Sequence, residues 1–130
     1  MTTTPRLVLE GSRIHDIASF YDEINRVFMA GESWRLGESL DALDDLLHGG
    51  YGALHGHPTA TLLWRDIDLC RHRLGQDTTR RWLLAKLAPP YDNRLIRRQL
   101  DALEGGEGRT YFQIVRDIFA SHPNIRLIEG

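Results

Sequence analysis

Residues 61–65 read TLLWR, a short apolar run between the Pro58-Thr59-Ala60 approach and the acidic Asp66. A run this brief, rich in branched and aromatic side chains, suits a buried β-strand better than a helix. Working outward, two similar runs stand near the ends: residues 6–10 (RLVLE), stopped by Gly11, and residues 124–129 (NIRLIE), preceded by Pro123. The intervening sequence carries helical periodicity. Asp16 is the expected N-cap of a helix presenting Ile17, Phe20, Ile24 and Val27/Phe28 on one side and ending at Ala30-Gly31. A second helix is expected over residues 34–48, stopped by Gly49-Gly50. A Gly/His-rich loop follows over 51–58, and then a short helix over 66–74 ends at Gly75. Residues 78–88 and 92–104 both look helical, with Pro89-Pro90 breaking them apart. Residues 105–108 (GGEG) read as a flexible link, and residues 110–120 as a last helix. Apolar strands separated by helices imply parallel pairing through crossovers. The expected fold is a single α/β domain over residues 1–130: a small three-stranded parallel sheet packed with helices. An inserted helical hairpin is expected over 76–109, closed by Leu83, Leu84 and Leu87 against Leu95, Ile96, Leu100 and Leu103.

The chain has 130 residues, a formal charge of −2 and one cysteine, which excludes an intrachain disulfide and any zinc site built from cysteine pairs. No apolar run approaches the length of a membrane span. The first residues lack the basic stretch and apolar core of a secretory signal, so a soluble cytoplasmic protein is expected. The charge is uneven. Residues 1–58 hold nine acids against four arginines, whereas residues 59–130 hold twelve basic against nine acidic groups. The near-neutral total argues against a general nucleic-acid binder. Gly11 stands without a GxGxxG pattern or a phosphate-loop lysine, which argues against a nucleotide site.

The acids concentrate in residues 37–50, GESLDALDDLLHGG. On a helix, Leu40, Leu43 and Leu47 share one side, while Glu38, Asp41 and Asp45 fall within an arc of roughly 60° on the other, with Asp44 at its margin. Asp41 and Asp45 are like charges one turn apart, which destabilises an isolated helix by about 0.2–0.5 kcal/mol. Asp45 also lies toward the C-terminal end, where the helix dipole disfavours an anion. Three uses fit such a stripe: a solvated face, a metal site, or the docking of a basic partner. Carboxylates alone on a helix seldom close around a metal, and no calcium-type loop adjoins them. His48, His55 and His57 supply no third ligand through sequence spacing, and Cys70 and His72, two apart, point to different helix faces. No metal or cofactor is therefore expected, and Cys70 reads as a small buried residue. Trp64 reads as core, Trp82 as packing within the insertion, and Trp34 as an aromatic suited to an interface beside the start of the acidic helix.

LDALDDLL, preceded by Gly-Glu, followed by glycine and then by a Trp-bearing strand (LLWRD), resembles the barstar family of intracellular ribonuclease inhibitors. That family carries a Tyr/Trp-Gly-x-Asn-Leu-Asp-Ala-Leu-x-Asp pattern on the helix that plugs a ribonuclease active site. RLVLEGSRIHDIASFYDEI is similar to the family's opening strand, turn and first helix, and FQIVRDIFASHPNIRLIE resembles its last helix and strand. Residues 76–109 lie largely outside the resemblance. It implies that Asp41 and Asp45 are the two inhibitory aspartates, that Asp117 is the acid contributed by the final helix, and that His48, Gly49 and Gly50 make helix-end contacts. Ser39 stands where the motif has asparagine, and Arg35-Leu36 where it has an aromatic pair, with Trp34 one step back; the identity of the partner nuclease stays open. The implied mechanism is inhibition without chemistry: carboxylates stand in for phosphate and accept the nuclease's cationic donors. The expected partner-facing set is thus Asp41, Asp45, Asp117, Asp44, Glu38, Ser39, Arg35, Trp34, His48, Gly49 and Gly50.

Two other readings remain beside this one. The same acidic face suits an immunity protein against a different basic toxin. Alternatively, residues 76–109 carry seven basic residues against five acids, and Arg94, Arg97 and Arg98 share a helix face that would suit a nucleic-acid-associated regulator. No nucleophile–base pair, metal motif or phosphate loop can be assembled, so no enzyme is expected. The sequence sets no oligomeric state.

Overall fold

The computed structural model describes residues 4–87 and 93–130. Among them, three strands form one parallel sheet in the order β1 (Arg6–Glu10), β2 (Ala60–Arg65), β3 (Ile125–Glu129). Six α-helices fill the crossovers: α1 (Ile17–Phe28) and α2 (Leu40–Leu47) between β1 and β2, then α3 (Ile67–Arg73), α4 (Gln76–Leu84), α5 (Arg94–Glu104) and α6 (Tyr111–Ala120) before β3. This is the α/β architecture with a three-stranded parallel sheet expected from the alternation of elements. None of the described helices is long and apolar enough to cross a membrane.

β2 is central because its sequence tolerates neighbours on both edges. Leu62 and Trp64 point to a face that is fully buried, together with Leu9 from β1. Trp64 is surrounded by the rings of Phe20, Phe112 and Phe119, with centroids 6.1, 5.6 and 5.9 Å away. Its indole N–H donates to the Cys70 sulfur at 3.3 Å, so the buried nitrogen is partnered and the thiol, pushed up by burial, is structural. The opposite face is less covered: Val8, Leu63 and Ile128 align across the sheet by register, and Ile128 is exposed.

Gly11 ends β1 for a steric reason. A Cβ there would lie 2.2 Å from the Arg65 carbonyl oxygen and 2.8 Å from that of Asp66, so only glycine lets the turn press against the end of β2. Gly11→Ala is expected to lower stability by about 1–3 kcal/mol, read from the urea midpoint, because backbone rather than a flexible side chain must move. An unchanged midpoint would contradict this packing argument.

α1 begins as expected. The Asp16 carboxylate accepts from Ser19 N at 2.8 Å, and the Ser19 hydroxyl reciprocates toward Asp16 N. These bonds to Ser19 hold the Asp16 carboxyl below its ordinary value. Glu23 on the same helix is buried, yet it is paid in full by partners: Glu10 N donates at 2.7 Å and Arg26 donates two bonds at 2.6 Å.

Several boundaries differ from the sequence expectation. The acidic helix is shorter: residues 34–39 are not helical, and α2 starts only after the Ser39 cap. Asn25 explains this, since its side chain accepts from Leu36 N at 2.7 Å and donates to Leu36 O at 3.1 Å, holding that residue outside the helix while its side chain is buried. Within α2, Leu46 rather than Leu40 completes the buried side with Leu43 and Leu47.

The helices of residues 76–109 pack together as α4 and α5, but Leu84 and Leu95 are exposed, and Leu83 and Leu103 are the buried pair. α4 also packs on α6: Tyr111 N donates to the buried Thr79 hydroxyl at 2.7 Å, and the Trp82 and Tyr111 rings lie 4.9 Å apart. Trp82 therefore joins the hairpin to the domain. The Pro89-Pro90 break lies outside the described residues. Residues 105–108 do not form a loose link. Glu107 N and Gly108 N both donate to Ala102 O at 2.9 Å, and Gly106 takes a φ of +78°, so the segment is a close turn capping α5.

Candidate functional site

α2 is a rigid two-turn platform. The Ser39 hydroxyl accepts from Ala42 N at 3.2 Å, and at the other end His48 N and Gly49 N donate to Asp45 O and Leu46 O at 3.1 Å. Gly49 adopts a φ of +83°, the left-handed turn that ends the helix. Leu43, Leu46 and Leu47 fix the inner side in the core, where α2 packs on α6. The outer side therefore cannot rotate away from solvent.

Asp41 and Asp45 occupy that outer side, one turn apart and exposed. Among the described residues neither takes part in an ion pair or accepts a side-chain hydrogen bond, whereas most other acids of the chain are already engaged. Asp22 holds Arg35 at 2.8 Å, Asp117 holds Arg109 at 2.9 Å, and Glu129 holds Arg116. The Arg35–Asp22 pair faces water from both partners, so it contributes little to stability. Asp117 is exposed on α6, but its carboxylate is answered within the chain by Arg109.

Glu38 precedes the helix rather than riding on it. Its charge acts on the buried phenols of Tyr21 and Tyr111, whose hydroxyls lie 2.7 Å apart. Burial raises the pKa of both phenols; their mutual hydrogen bond then raises that of Tyr21 and lowers that of Tyr111, and the charge of Glu38 raises both. Glu38, Ser39, Leu40 and Asp41 line one wall of a cleft of about 330 Å³, and Trp82, Lys86 and Tyr111 line the other. The Lys86 ammonium sits 3.6 Å from the Trp82 ring centroid, and burial lowers its pKa. No spacing or motif signals that α4 reaches the acidic helix. Only the α4–α6 packing brings Trp82 and Lys86 there.

At the far end, Trp34 packs at a tilt against Tyr51 with ring centroids 4.8 Å apart, so its aromatic contact is with the loop following α2 rather than with the start of the helix. Trp34 is exposed, and burial followed by the charge of Asp45 raises the Tyr51 pKa. This pair is the exposed aromatic surface beside Asp45, and Tyr51 was not among the residues expected from sequence. Gly50 is exposed beside it. Asp44, expected at the margin of the stripe, turns toward α6 instead. Its carboxylate meets His122 Nε2 at 2.7 Å, while His48 Nδ1 lies 2.9 Å from the Asp44 carbonyl. The arginine face of α5 (Arg94, Arg97 and Arg98) is exposed and belongs to a different element from this surface.

A family model described as barstar (barnase inhibitor) matches residues 4–88. The matched stretch takes in β1, α1, α2, β2, α3 and α4, so the boundary expected at residue 76 falls inside it, and it stops before α5. No individual curated protein matches the sequence.

Proposed function

The chain belongs to the barstar family, a family of non-enzymatic protein inhibitors, and from that premise we propose that it inhibits a ribonuclease by seating α2 in the enzyme's phosphate-binding cleft. The observation that carries this reading is the pair Asp41 and Asp45: two carboxylates at fixed spacing on a capped helix, exposed and without a cationic partner among the described residues. A cleft that binds RNA phosphates must present arginine, lysine or histidine, and two fixed carboxylates accept those donors through charge-assisted bonds. Occupying the cleft blocks substrate without any reaction.

Trp34 and Tyr51 provide a rigid aromatic rim next to Asp45, the residue types that carry energy at protein interfaces. Asp117 contributes less because Arg109 already offsets its charge, and His48, Gly49 and Gly50 shape the helix end. On this reading the protein acts in the cytoplasm, guarding the cell that makes the nuclease.

The test is titration of the purified chain into a barnase-type ribonuclease while RNA cleavage is followed. Stoichiometric loss of activity is expected, with an association rate that falls steeply as salt rises, because long-range attraction to a basic cleft is screened. Undiminished cleavage at excess inhibitor would overturn the proposal for that nuclease class. Capture of a different basic toxin through the same aspartates would replace it.

A further inference from the structure

We propose that Asp44, His48 and His122 form a binding site for one divalent ion of the zinc class, at the seam between α2 and the end of α6. This is independent of what docks on Asp41 and Asp45. Asp44 offers one carboxylate oxygen and His48 and His122 one ring nitrogen each, and these three atoms all lie within 4.8 Å of one another. Asp44 and His48 are four apart on α2, the spacing that puts two side chains on one helical face. His122 comes from the far end of the chain, immediately after the residue that caps α6, and packing of α2 on α6 brings it over.

The site is partly preorganised. His122 is buried, its Nε2 already faces the Asp44 carboxylate at 2.7 Å, and its ring stands edge-on to that of His48 with centroids 4.7 Å apart. The His122–Asp44 contact and the His48 Nδ1 contact with the Asp44 carbonyl each have an ordinary structural purpose, but together they bring two imidazoles and a carboxylate to one point. Two imidazoles and a carboxylate are the donors preferred by Zn²⁺ and Co²⁺, whereas Ca²⁺ and Mg²⁺ want oxygen throughout.

Around a tetrahedral ion with bonds near 2.1 Å, ligand atoms stand roughly 3.4 Å apart. Binding therefore lengthens the His122–Asp44 contact slightly and draws the wider pairs in. The ion takes the place of the hydrogen bond between His122 Nε2 and Asp44 Oδ1: the neutral ring carries its one proton on Nδ1 and turns the Nε2 lone pair to the ion. Asp44 and His48 keep a solvent side, which leaves the fourth position to water.

The test is calorimetric titration of the full chain with Zn²⁺ alone, paired with the visible absorption of Co²⁺ as the reporter of tetrahedral coordination. One equivalent is expected to bind. His48→Gln should weaken it by about 100-fold or more, since losing a direct ligand exceeds the effect of losing an outer-shell partner. His48 is exposed, so this variant keeps the fold; His122→Asn should give the same loss with circular dichroism checking that it is folded. The double variant His55→Ala/His57→Ala should bind as the parent does. Absence of binding at one equivalent, or equal affinity in His48→Gln and the parent, overturns the proposal.

Discussion

Asp45→Ala is expected to weaken binding of the ribonuclease by about 3 kcal/mol, more than 100-fold, while leaving the fold as stable as before or slightly more so. The two halves of this result come from one arrangement. Asp45 lies in the last turn of α2, where the helix dipole opposes an anion, and one turn after Asp41, a like charge on the same side. Neither carboxylate is offset by a cation among the described residues. Removing Asp45 relieves both repulsions, which together amount to roughly 0.5–1 kcal/mol on an exposed helix. In the proposed complex the same carboxylate meets desolvated cationic donors, and its loss leaves those donors unpaired, which is the costly outcome. Calorimetric titration against the nuclease and urea unfolding of the free protein check the two halves separately. Equal affinity for parent and variant would remove Asp45 from the interface. A parallel loss of stability would recast it as a structural residue.

The contrast with Asp117 sharpens the argument. Both are exposed acids to which the resemblance assigns an inhibitory role, but Asp117 holds Arg109 at 2.9 Å. Arg109 already offsets its charge, so its attraction for a cationic donor of the nuclease is reduced. An acidic residue placed by resemblance is thus weighted by what the rest of the chain has already done with its charge.

Features set by residues close in sequence were legible before any coordinates. Asp16 and Ser19 cap α1 at a separation of three, and the apolar runs around Leu9, Trp64 and Leu127 became strands because little else suits such short stretches. The shared outward face of Asp41 and Asp45 needed only helical periodicity, whereas their inhibitory role rested on the resemblance. Features that depend on long-range contact were not legible. The clamp of Asn25 on Leu36, eleven residues apart, shortens α2 against a helical pattern that runs on through residues 34–39. The meeting of His122 with Asp44 spans seventy-eight residues and no spacing rule announces it. Trp82 and Lys86 read as parts of a separate hairpin because nothing local says that α4 leans on α6 beside the acidic helix. The glycines of residues 105–108 read as flexibility, but in the fold they permit the tight return to Ala102.

Trp64→Ala is expected to remove about 3–5 kcal/mol of folding stability, a large share of the roughly 5–15 kcal/mol that holds a domain together. Trp64 is fully buried on the central strand and meets rings from α1 (Phe20) and α6 (Phe112 and Phe119), so its loss opens the joint between elements far apart in sequence. The cavity cannot collapse easily. β2 is held by β1 and β3 on both edges, and Gly11 is already pressed against the Arg65 carbonyl at the end of β2. Loss of the indole also takes away the donor that the Cys70 sulfur accepts from. Trp64→Phe separates the two contributions: it keeps most of the ring packing and forfeits the N–H, and should cost about 1–2 kcal/mol. Far-UV circular dichroism in urea reads both variants, since the substitution alters indole fluorescence directly. A loss below about 1 kcal/mol for Trp64→Ala would mean that the core closes over the gap, and that the aromatic cluster is not what fixes α6 to the sheet. With the larger loss, α6 and the His122 end that follows it should loosen first, visible as faster amide exchange there than in α1, whose Glu23 bonds to Glu10 N and Arg26 do not involve Trp64.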